Sequence, residues 1–173
     1  MFRFKNIIAA SFILFATSGW AQTPPAPAPS VAPTPPPALP YGPPISLQAA
    51  KKAMAAAELE AAKNSWTVAI AIIDSGGHLV MLHRLDNVQH ASVRMAHGKA
   101  RTALEFRRET KALEEAIARG GAGLRLLALD DVTPLEGGMP IVVDGRIIGA
   151  IGVSGVASAQ DAQIAQAGAE AAK

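Results

Sequence analysis

Four side chains in one stretch carry most of the chemistry in this sequence: His90, Arg94, His97 and Arg101, spaced by four, three and four residues. On a helix this spacing lines them along one flank, because residues three and four apart are surface neighbours. Imidazole can ligate a metal centre, and guanidinium forks onto carboxylates. The stripe therefore suits an anionic ligand that also needs a nitrogen donor; its alternative reading is a solvated helix face. A bare metal site fits less well, since Arg94 between His90 and His97 repels a cation and no carboxylate stands at a matching spacing. Nucleophilic catalysis finds no support: there is no Cys and no nucleophile-elbow motif, and Ser154 in Val-Ser-Gly reads as a turn or cap residue. Asp74 and Asp86 bracket one hairpin and are candidates for an acid–base pair, although turns and caps are their commoner use.

The stripe needs a scaffold, and the sequence supplies one. Ser92 to Phe106 reads as a helix whose inner face is Ala96, Ala100, Ala103 and Leu104, small enough to lie close on a sheet. A break near Thr110 precedes a further helical run, Lys111 to Arg119. Upstream, Ser46 caps a helix running to Lys63, with Leu47, Ala50, Met54, Ala57 and Ala61 as its apolar stripe. Trp66 to Asp74 is too continuously apolar for a strand with one wet face, so it belongs at the centre of a sheet. Ser75-Gly76-Gly77 turns the chain into a second strand, His78 to Leu85, where alternation puts His78 and His83 on opposite faces. Leu124 to Leu129 reads as a strand or one buried turn. Pro140 to Val143 and Arg146 to Val153 flank Asp144-Gly145, the signature of a tight hairpin. Gly149 and Gly152 inside its second arm imply that a backbone or a ligand comes close there. Ala159 to Ala172 is a last Ala-rich helix.

Met1 to Asn6 carries Arg3 and Lys5, Ile7 to Trp20 is mostly apolar, and Gly19-Trp20-Ala21 supplies the small residues of a cleavage site. That pattern, over 1–21, reads as a secretory signal peptide, too short for a membrane span, so no stable membrane insertion is expected after cleavage. Residues 22–44 hold eleven of the thirteen prolines and read as an extended spacer. Residues 45–173 are then one domain. Without Arg3 and Lys5 the sixteen Lys and Arg fall to fourteen, against fourteen Asp and Glu, so the domain is formally neutral. Neutrality, with no basic run and few aromatics, argues against nucleic acid. Export without Cys means that the fold rests on its core rather than on disulfides.

The ordered motifs Asp74-Ser75-Gly76-Gly77-His78-Leu79-Val80, Arg84-Leu85-Asp86, Lys99-Ala100-Arg101-Thr102-Ala103, Gly137-Gly138-Met139-Pro140-Ile141 and Gly149-Ala150-Ile151-Gly152-Val153-Ser154-Gly155 resemble the GlcG/HbpS-like family across the whole domain. The resemblance implies a mixed α/β (α+β), profilin-like fold: an antiparallel sheet of about five strands flanked by helices, assembled as a homo-oligomer. It also implies haem as cofactor, with Thr102 linked to haem iron. Haem needs an axial ligand, cations for its propionates and an apolar slot. His97 is then the first candidate for the iron, His78, His83 and His90 are further candidates, and Arg94 and Arg101 suit the propionates. These side chains would meet in a pocket between the second strand and the Ser92 helix. The implied function is an exported, periplasmic or extracellular haem-binding protein, a carrier, scavenger or sensor accessory. The alternatives are a haem-degrading enzyme and a metal-free module for an anionic metabolite.

Overall fold

The computed structural model describes residues 37–173. The leader expected over 1–21 and the spacer as far as residue 36 lie outside the described residues. The last part of the proline-rich tract belongs to the fold: Ile147 N–H donates to Pro40 O at 2.9 Å, and the Gly42 and Ile45 N–H groups donate to Ile147 and Ile148 carbonyls at 2.8 Å. The Tyr41 hydroxyl completes the attachment by donating to Leu104 O at 3.0 Å.

The elements are α1 (Leu47–Lys63), β1 (Ala69–Asp74), β2 (Leu79–Arg84), α2 (Ala91–Phe106), α3 (Lys111–Ala118), a 3-10 helix (Gly121–Ala128), β3 (Gly138–Val143), β4 (Arg146–Ser154) and α4 (Ser158–Ala171). The described strands form one antiparallel sheet in the order β2-β1-β4-β3. It has four strands where about five were expected. Nearest to a fifth is the Pro40–Ile45 segment, which makes only an isolated bridge between Tyr41 and Ile147. Leu124 to Leu129 is neither a strand nor buried. Its chain is wound into the 3-10 helix by close contact of Gly123 with the Ala116 carbonyl of α3, leaving Leu124, Leu127 and Leu129 exposed.

β1 is one of the two interior strands, beside β4, and Ala69 to Ile73 are buried on both faces. Ile70 and Ile72 join Ile141, Ile151 and Val153 against α1 and α4. Ala69, Ala71 and Ile73 face the other way, toward Ala96, Ala100 and Ala103 of α2. Asp144 and Gly145 have φ of 49° and 71°, the left-handed pair that a tight two-residue hairpin needs.

The glycines of β4 answer to backbone, not to ligand. A Cβ on Gly152 would stand 2.1 Å from Ala96 O and 2.5 Å from Ala100 N. One on Gly149 would stand 2.3 Å from Ile73 O. α2 therefore lies directly on the strand, and no groove opens over the sheet at this point. Gly152→Ala is expected to lower stability by about 2–3 kcal/mol through overpacking. A urea titration should show a lower midpoint at unchanged slope. Gly145→Asn, in open space with a tolerated left-handed φ, should cost about 1 kcal/mol or less.

Candidate functional site

α2 packs Ala96, Ala100, Ala103 and Leu104 inward, and this sets the direction of everything else on the helix. One flank meets the loop Asp131–Leu135, and between them lies a cleft of about 430 Å³. Its helix side carries Arg94, Met95, His97, Gly98 and Arg101, and its loop side runs from Asp131 through Val132, Thr133 and Pro134 to Leu135. Three members of the stripe thus share a concavity with an apolar wall. Arg101 donates to Glu105 Oε1 at 3.1 Å, a half-exposed pair of the kind worth only about 0.3–0.5 kcal/mol. An anion can displace it readily.

The cleft is not where the sequence placed it. It lies between α2 and the Asp131–Leu135 loop rather than between β2 and α2, because α2 is pressed too closely onto the sheet to leave room. Its membership is narrower as well. His90 sits exposed at the start of α2 and does not line the cleft. His83 pairs in register with Ile70, on the sheet face that meets α1. There its Nδ1 lies 2.7 Å from Glu58 Oε1, so it is on the far side of the sheet from His97. His78 has a side chain 81% exposed beside its turn. Thr102 is fully buried, and its hydroxyl accepts the Thr133 N–H at 2.8 Å. It stands behind the cleft as an anchor of the loop and does not line it.

The proposed acid–base pair dissolves into a turn. Asp74 Oδ1 accepts the N–H groups of Gly76 at 2.8 Å and His78 at 2.9 Å, closing the β1–β2 hairpin. Burial pulls its carboxyl up, but the N–H bonds from His78 and Gly76 and the nearby His78 ring together outweigh burial and hold the pKa below its ordinary 3.8.

Residues 45–170 match the family described as haem degrading protein HbpS-like. The chain belongs to the HbpS-like family. Protein GlcG of Escherichia coli (strain K12) is 49% identical over 110 residues, covering 64% of this chain and 81% of GlcG. The crystal structure of HbpS matches with a TM-score of 0.69 and 31% identity, covering 76% of this chain and 92% of HbpS. That of a PduOC:heme complex matches with a TM-score of 0.68 and 28% identity, covering 74% of this chain and 94% of PduOC. The HbpS-like assignment accounts for the sheet and its flanking helices; a shared fold does not by itself fix a reaction.

Two features around the cleft were not legible in the sequence. One is the Asp131–Leu135 wall, a loop without periodicity whose only signals were the polar residues around Pro134. The other is an ion pair on the buried side of α2, outside the cleft lining: Lys99 Nζ donates to Asp161 Oδ2 at 2.7 Å, with both side chains 3% exposed. Burial raises the pKa of the Asp161 carboxyl, opposed by the Lys99 ammonium and by the N–H groups of Val156 and Gly155. A signal existed, since Lys99 falls three residues after Ala96 on the inward face. Among the described residues, no group of three or more His, Cys, Asp or Glu could hold a metal ion, and no helix is long and apolar enough to cross a membrane.

The depressed Asp74 pKa gives a signed expectation. A carboxylate held below 3.8 adds stability that is fully present above that pH and is lost as pH falls through the folded-state value. Wild type should exceed Asp74→Ala by about 1–2 kcal/mol near pH 7. Denaturant titrations should show this gap narrowing as the pH falls below about 3.8.

Proposed function

We propose that this chain is an exported haem-binding protein whose ligand occupies the cleft between α2 and the Asp131–Leu135 loop. The observation that carries the reading is the convergence of one imidazole and two guanidinium groups on a cleft with an apolar wall, in a chain of the HbpS-like family. When bound, haem supplies an iron centre that takes a nitrogen donor, set in an apolar disc with two propionates. The residues present fit that demand. His97 offers a ring nitrogen to the iron, and Arg94 and Arg101 offer guanidinium forks to the propionates. Met95, Val132, Pro134 and Leu135 give the disc an apolar surface and exclude water from one side. A volume near 430 Å³ lies in the ordinary range for small-molecule sites, about 300–1,000 Å³. A larger groove, about 1,030 Å³ along the β3 edge, contains no imidazole.

Export rests on the basic start and apolar run of residues 1–21, with the periplasm or extracellular space as destination. The role is that of a carrier, scavenger or sensor accessory. Assembly as a homo-oligomer is part of the same reading, supported by the exposed Leu124, Leu127 and Leu129.

Titrating hemin into the purified chain should produce a Soret band. His97→Ala should weaken binding at least about tenfold, and Arg94→Ala and Arg101→Ala about three- to tenfold each, as expected for lost ligation and charge-assisted hydrogen bonds. No Soret band in wild type, or three variants that titrate like wild type, would overturn the reading. Loss of the band with reductant and oxygen in catalase-supplemented buffer would replace the binding role by haem degradation. Mass spectrometry of the exported protein should find a new N-terminus after Ala21.

A further inference from the structure

Thr102 and Gly98 lie one helical turn apart on α2, and both meet the same loop residue. The Thr102 hydroxyl, fully buried, accepts the Thr133 N–H at 2.8 Å. Gly98 leaves the space that Thr133 fills, since a Cβ there would stand 2.3 Å from Thr133 Oγ1. On either side of Thr133 in the chain, Val132, Pro134 and Leu135 form the loop wall of the cleft. Past the wall, the loop is fixed again. Glu114 of α3 accepts the Glu136 N–H, and Lys111 holds the Glu136 carboxylate at 3.0 Å. Thr110 then takes the Gly138 N–H at 2.9 Å. These later anchors belong to α3 and its start, while Thr133 is the point at which the wall is tied to the helix that carries His97.

We propose that Thr102 and Gly98 form a latch that sets the width of the cleft, so that Thr102 is a positioning residue acting through Thr133 and does not touch the ligand. The hydroxyl holds the loop in; the missing side chain at 98 lets it come in. Distance between the His97 face and the Val132–Leu135 wall then follows from these two contacts, of which Thr102 stands behind the cleft while Gly98 and Thr133 belong to its lining. A flat apolar ligand is sensitive to this distance, because a gap of even 0.5–1 Å forfeits a quarter to a half of the dispersion attraction on that side. The ligand half of the proposal rests on the haem reading above; the latch itself does not.

The test reads the loop and the ligand separately. In the ligand-free chain, Thr102→Val keeps the shape and removes the acceptor, and the Thr133 amide should exchange with solvent about five- to tenfold faster, the loss of one buried hydrogen bond. Hemin should bind about fivefold more weakly to the same variant, by the same loss. Thr102→Ser should keep both within about twofold of wild type, as rescue by the remaining hydroxyl requires. Unchanged Thr133 exchange in Thr102→Val overturns the latch. So does a serine variant as impaired as the valine one. A displaced Soret band with normal exchange would place Thr102 on the ligand and overturn its positioning role. Should Thr102→Val fail to fold, Gly98→Ala carries the test: it should weaken hemin binding, and adding Thr133→Ala, which removes the clashing Oγ1, should restore it. No restoration overturns the proposal. If wild type takes up no hemin, the haem reading falls, while the exchange of Thr133 still decides the latch.

Discussion

The contact between the backbone of α2 and the backbone of β4 governs this molecule. Gly152 faces Ala96 O and Ala100 N with no room for a Cβ, so the helix is held against the sheet through alanines and glycines rather than through interleaved large side chains. Close approach fixes the rotation of α2 about its axis as firmly as its distance. Each residue turns the helix by about 100°, so with Ala96, Ala100 and Ala103 inward, His97 and Arg101 emerge on one flank. The cleft is thus a consequence of core packing. A bulkier β4 would lift α2, rotate the flank and pull the Asp131–Leu135 loop with it through Thr133.

The buried Lys99–Asp161 pair works on the same helix from beneath. It joins α2 to the first turn of α4, and Asp161 also accepts the Val156 N–H at 3.2 Å, ordering the turn out of β4. Gly137 passes beside it, where a Cβ would stand 2.7 Å from Asp161 Cβ and 2.9 Å from Lys99 Nζ. Such a pair contributes little net stability, since desolvating two charges offsets most of their attraction. Its effect is on specificity: a charge left without its partner in this interior is costly, so arrangements that separate α2 from α4 are disfavoured. The start of β3, and with it the far end of the loop that walls the cleft, is placed by this requirement.

Regular elements were legible because each carried a period or a turn signal. Ser46 does cap α1, its hydroxyl accepting the Ala49 N–H at 3.2 Å; Asp144-Gly145 does make the hairpin; and the small inward face of α2 is as its alanines suggested. Gly149 and Gly152 announced a close approach, and what approaches is backbone. The stripe on α2 was half legible, since spacing shows that Arg94, His97 and Arg101 share a flank but cannot show that His90 falls off its end. His83 was unreadable for a different reason. Alternation says that two faces exist, and only the packing of α1, which brings Glu58 to it, says which face meets which helix. Leu124 to Leu129 misled because leucines in a short run resemble a strand until the chain length between Gly120 and the Asp131 turn is seen to wind against α3. The loop wall had no period at all, and its position is decided by Thr102 and Gly98, residues that in sequence look like ordinary members of a helix.

A site on the flank of a helix differs in kind from one enclosed by a sheet. The space at Gly152 is already filled by α2 and that at Gly149 by Ile73 and Ile45, so the cleft beside α2 lies at the margin of the sheet rather than over it. Electrostatic contacts at such a margin are weak one by one, as the half-exposed Arg101–Glu105 pair illustrates. On the haem reading proposed above, grip comes from apolar area against Met95, Val132, Pro134 and Leu135, with the guanidinium groups and His97 fixing orientation. Area of contact depends on how closely the loop stands to the helix, and an open rim lets a ligand leave by the route it entered. On that reading the same geometry couples affinity to loop position as well as to the charged residues of the helix.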